Sequence, residues 1–119
     1  MGMIRSNRPA PEPVVTLASS GGVLTLDLGA ARRFEVTLTE NITSVVFTNA
    51  PAAGFGASFL LWITQHASSA KTFDMPAAFD WDGGTVGVIS TAVGKVDLLA
   101  ASTRNGGTTW DATISKGRA

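Results

Sequence analysis

From Val14 onward the chain alternates apolar and polar residues with a period of two, the pattern of β-strands that bury one face. In VLTLDLG, Leu24, Leu26 and Leu28 share one face, Thr25 and Asp27 share the other, and Gly29 closes the run. RFEVTLTEN sets Phe34, Val36 and Leu38 against Glu35, Thr37 and Thr39. ITSVVFTNAP repeats the alternation at Val45 and Phe47 before Asn49 and Pro51 end it. Near the C-terminus TTWDATISK places Trp110, Ala112 and Ile114 opposite Thr109, Asp111, Thr113 and Ser115. Val15 and Leu17 open the series, and KTFDMP reads as a short strand stopped by Pro76.

Two stretches depart from simple alternation. FLLWITQ is apolar on both sides, with Phe59, Leu61 and Ile63 on one and Leu60, Trp62 and Thr64 on the other. A strand of that kind lies at the centre of a two-layer structure or under a neighbouring subunit. Leu60 and Trp62 are therefore candidate subunit-interface residues. The stretch Phe79 to Ser102, FDWDGGTVGVISTAVGKVDLLAAS, holds the densest turn chemistry, with Gly83, Gly84 and Gly94 between apolar runs. Glycine accepts the positive φ of tight connections, so consecutive strands folding back on one another are expected here.

No apolar pattern at helical spacing lasts the ten or so residues of an ordinary helix. About nine or ten short strands are expected, with turn residues at roughly 8–12 residue intervals. The predicted fold is all-β: an antiparallel sandwich or barrel, jelly-roll-like, over residues 14–119, with no visible internal repeat. Residues 1–13, MGMIRSNRPAPEP, hold three prolines in their last five positions and form a separate extended arm. In that arm Met3 and Ile4 suit an apolar groove, and Arg5 and Arg8 suit carboxylates, of a partner or of the domain itself.

Charge and composition narrow the function. Nine basic and nine acidic residues cancel, which removes the electrostatic footprint of a nucleic-acid-binding protein. Only 15% of residues are charged against 45% hydrophobic, sparse for a wholly solvated surface, so association with other subunits is expected. The absence of cysteine excludes disulfides, thiolate metal sites and cysteine nucleophiles. No stretch approaches the roughly 18 apolar residues of a membrane span, and no secretory signal core opens the chain, so synthesis in the cytoplasm without membrane association is expected. MGMIRS matches a short myristoylation pattern, with Gly2 and Ser6 in place, but such patterns arise readily by chance.

Candidate chemistry is sparse. His66 is the only histidine and no nucleophile motif accompanies it, so it reads as a loop residue. Asp80 and Asp82 in DWDGG, with Asp74, offer oxygens to a hard cation such as calcium but also suit turn-capping hydrogen bonds. Trp62, Trp81 and Trp110 would suit stacking on a sugar, yet each lies in an apolar register typical of a core. Trp81 with Asp80 and Asp82 is the alternative glycan site. The glycine pairs lack the helix start and lysine of a phosphate loop. No catalytic set assembles, and neither enzymatic activity nor a cofactor is expected.

VTLTENITSVVFTNAP (36–51), FLLWITQ (59–65), the 79–102 stretch and NGGTTWDATI near the end occur in an order that resembles a β-rich domain of tailed-bacteriophage virion proteins. The likeness covers about residues 20–115. It departs from that pattern in TVGVIST, where a proline and less glycine are expected, and in LLAAST, where a larger aromatic is expected. The resemblance implies a non-enzymatic virion protein, a homotrimeric capsid decoration, head-fibre or tail-fibre-base component. Its arm would attach it to the major capsid or another virion protein. The alternative it implies is a carbohydrate- or host-receptor-binding module of a tail fibre.

Overall fold

The structure is a computed structural model that describes residues 11–119. The strands are β1 (Val14–Leu17), β2 (Val23–Asp27), β3 (Arg33–Thr37), β4 (Ser44–Thr48), β5 (Ala57–Thr64), β6 (Phe79–Trp81), β7 (Val96–Thr103) and β8 (Trp110–Arg118). A 3-10 turn at Asp82–Gly84 is the only helical element among the described residues. Six strands form one sheet in the order β1-β3-β5-β7-β8-β6, and β2 and β4 form a second.

Mostly β structure is present as expected, but the strands number eight rather than nine or ten, and the sheets are not antiparallel. Four of the six pairings, β1–β3, β2–β4, β3–β5 and β6–β8, are parallel, and only β5–β7 and β7–β8 are antiparallel. Connections explain the difference. After β1 and after β3 the chain crosses to the small sheet instead of turning back beside the strand it has left, so successive coils stack in the same direction. The bridge of Ile42 to Phe73 carries this winding one position further. Period-two alternation reports which face is buried and carries no information on strand direction.

The stretch 79–102 also differs from a run of strands folding back. Gly83 (φ 75°) and Gly84 (φ 76°) turn the chain after three-residue β6, residues 85–95 follow as irregular structure, and β8 separates β6 from β7 in the sheet. KTFDMP likewise contributes one bridge residue, Phe73, rather than a strand.

Alternation predicts the core well. Leu24, Leu26, Phe34, Val36, Leu38, Phe59, Leu61, Ile63, Trp110 and Ala112 are all buried, each at an expected inward position. Phe47 on β4 reaches across to the large sheet, 5.2 Å from Trp110 and 5.5 Å from Phe59 between ring centroids, and so places the small sheet over the large one. The first pair is stacked and the second tilted, and aromatic pairs of favourable geometry add about 0.5–1.5 kcal/mol each beyond area burial.

Candidate functional site

The outer face of the large sheet is an open surface, as is that of the small sheet, where Val23 and Val46 are exposed. Strand register sets its rows. Glu35, Trp62 and Leu98 lie side by side on β3, β5 and β7, and one row along are Arg33, Leu60, Ala100 and Thr113. Leu60, Trp62, Leu98 and Ala100 are half-buried, so Leu60 and Trp62 occupy the outward face expected of them. Thr16 donates to Glu35 Oε1 at 2.8 Å beside Trp62.

Two open grooves cross this face. One, of about 470 Å³, runs from Glu12, Arg32 and Arg33 over Leu60 and Ala100 to Asp111. The other, of about 490 Å³, is lined by Val14, Thr16, Thr37, Trp62 and Val96. Glu12 closes the end of the first, its carboxylate 3.2 Å from Arg32 Nε and 3.6 Å from Arg33 Nη2.

The residues of the glycan alternative are brought together, but not as a stacking platform. Asp80 and Asp82 are exposed, while Trp81 is buried and Gly87 lies against its ring, leaving no indole face for a sugar. Asp80 stands in register with Asp111 of β8, so two carboxylates share one patch of the outer face. Among the described residues no group of three or more acidic or histidine side chains could hold a metal ion, so Asp74 does not complete a calcium set with them. Met3, Ile4, Arg5 and Arg8 lie outside the described residues.

His66 organises its own turn. Nδ1 accepts the backbone N–H groups of Ser68 and Ser69, each at 3.1 Å, which leaves the proton on Nε2. The two serine hydroxyls near Nδ1 are brought there by the same turn. No carboxylate orients the ring among the described hydrogen bonds, so the pair lacks what a nucleophile needs.

Three buried polar residues went unnoticed in the sequence. Gln65 donates to the carbonyls of Lys71 and Ser90 and accepts the N–H groups of His66 and Lys71, using all four bonding positions. Asp97, fully buried at the start of β7, accepts Ser90 N–H at 2.6 Å, Ser90 Oγ–H at 2.7 Å and Gly117 N–H at 2.9 Å. Thr103 at the other end of β7 donates to the Thr109 carbonyl and accepts the Gly107 N–H. Their signal was present: each continues the inward register of an apolar strand, as Asp97 does before Leu99 and Ala101. A polar residue in that register must be hydrogen-bonded. All three fasten loops and none faces a cavity with a second reactive group.

Two half-buried carboxylates are also held by local bonds. The Asn49 amide, at 2.7 Å, and the Gly29 N–H hold Asp27 below its ordinary pKa, and the Ser19 hydroxyl, at 2.6 Å, with the Gly22 N–H does the same for Glu40. Both fix turns between strands.

Comparison with known proteins finds no matching family model, no matching curated protein and no matching solved structure.

Proposed function

We propose that the chain is a structural protein of a tailed-phage-type virion, a capsid decoration or fibre-base component that works by association rather than catalysis. Its two facing sheets serve as a sandwich-like block, and three copies join through the lower part of the large sheet's outer face. The observation that carries this is the in-register pair Trp62 and Leu98, half-buried on an open face with Leu60 and Val96 beside them. Burying such a patch contributes roughly 25 cal/mol per Å² of apolar surface, which favours assembly once several side chains from each copy take part. The cancelled net charge adds no long-range repulsion between copies. The particle location and the threefold state both rest on the resemblance in residue order, and the apolar face supports association between copies.

Light scattering on the purified protein tests the assembly. A trimer that Trp62→Glu converts to a folded monomer is the expected result, and a monodisperse wild-type monomer at micromolar concentration overturns it.

A further inference from the structure

We infer that the cleft beside β4 takes an extended segment of another protein, added as a strand to the free edge of the small sheet. Backbone pairing is the first reason. Ser44 donates to the Gly22 carbonyl and Thr48 accepts from Leu28, so residues 44, 46 and 48 face β2. Val45 and Phe47 turn their N–H and C=O groups to the opposite edge. Thr43 also donates to Gly22, an irregularity that puts Ile42 on the same edge as Val45.

A neighbour begins on that edge and stops. Ile42 donates to the Thr72 carbonyl and accepts the Asp74 N–H, each at 2.9 Å. The next residue to face β4 is Pro76, which has no N–H and whose carbonyl accepts from Phe79. The described hydrogen bonds thus leave the N–H and C=O groups of Val45 and Phe47 without partners, an edge that an extended backbone can pair.

The space is the second reason and a buried donor the third. A cleft of about 380 Å³ separates this edge from residues 74–78, with half-buried Val45, Phe47, Met75 and Ala78 on its walls. Trp110, 1% exposed, also lines it, and Gly107 bares the nitrogen edge of the indole, since a Cβ there would stand 3.7 Å from Nε1. No fully enclosed side-chain nitrogen or oxygen among the described residues lacks a partner, so this N–H, which makes no described hydrogen bond, is reached from the cleft. The fitting segment is therefore a strand whose inward side chains are apolar apart from one oxygen acceptor for Nε1. None of the cleft's residues lies on the Trp62–Leu98 face, so the site does not depend on the assembly proposed above.

The probe is the peptide acetyl-Lys-Val-Lys-Thr-Lys-Val-Lys-amide, whose inward set is valine, threonine, valine. Titrated to millimolar concentration into the full-length ¹⁵N-labelled protein, it shifts the Val45 and Phe47 amide signals and the Trp110 indole N–H and slows their exchange. Its counterpart methylated at every amide nitrogen does not. Exchanging the threonine for valine weakens binding about two- to tenfold, the worth of one hydrogen bond, and has no such effect on Trp110→Phe. Shifts confined to β1 or β6, the free edges of the large sheet, overturn the inference, as does equal binding of the methylated peptide or unchanged Val45 and Phe47 signals. So does a dependence of those two signals on protein concentration alone, which would place a second copy on the edge.

Discussion

Gly87 lies flat on Trp81: a Cβ at this position would come within 2.6 Å of indole Cζ3 and 2.9 Å of Ile114 Cγ2. The irregular segment after the 3-10 turn thus covers the tryptophan, and only a residue without a side chain permits it. Gly87→Ala should lower stability by about 1–3 kcal/mol, as overpacking of a buried site does. Urea unfolding followed by tryptophan fluorescence checks this. Gly83→Ala is the companion variant, since no neighbour lies near and only its φ of 75° is unfavourable, so a smaller loss of about 1 kcal/mol is expected.

Asp97 ties the 85–95 segment and the end of β8 to β7 through its bonds to Ser90 and Gly117. Asp97→Ala takes the acceptor from the half-buried Ser90 amide and hydroxyl and from the exposed Gly117 amide, which water can satisfy, so at about 1–3 kcal/mol for a stranded buried group it should cost about 1–3 kcal/mol. Amide hydrogen exchange should show the loss first at Ser90 and Gly117. Protection there equal to wild type would remove the assigned role.

Acid should weaken the fold through Asp27 and Glu40. Both have folded-state pKa values below those of the unfolded chain, so their contribution is complete above the unfolded carboxylate range and is lost as pH falls through the folded values. Melting temperature should therefore decline on acidification below that range. Asn49→Ala and Ser19→Ala remove the leading cause at each carboxylate and should each flatten the decline, which thermal melts across an acid pH series measure.

Neighbouring leucines on β5 should answer differently. Leu61 is 1% exposed and faces the aromatic core, whereas Leu60 is half-buried on the outer face. Leu61→Ala should cost about 2–5 kcal/mol through lost transfer energy and the cavity left behind. Leu60→Ala should cost less than half as much in the isolated domain, judged by paired denaturant midpoints. Equal losses would mean that the outer face is already covered.

By itself the sequence determined which side chains are inside. Leu24, Leu26, Phe34, Phe59, Leu61 and Trp110 had to share a core because alternation at period two leaves each strand a single apolar face, and Leu60 and Trp62 were legible as the one outward pair too apolar for solvent. The positive-φ glycines marked turns correctly, yet Gly83 and Gly84 did not reveal where the chain goes afterwards. Only the tertiary structure decided strand direction and neighbours, because unequal coils bring Val14 beside Arg33 and Arg33 beside Leu60 with no repeat in the residues. It also decided that Trp81 is capped by Gly87, that Asp80 stands in register with Asp111, and that Asp97 is bonded to Ser90 and Gly117. None of these contacts is encoded by the alternation within a single strand, because each depends on how irregular segments and separate strands pack together.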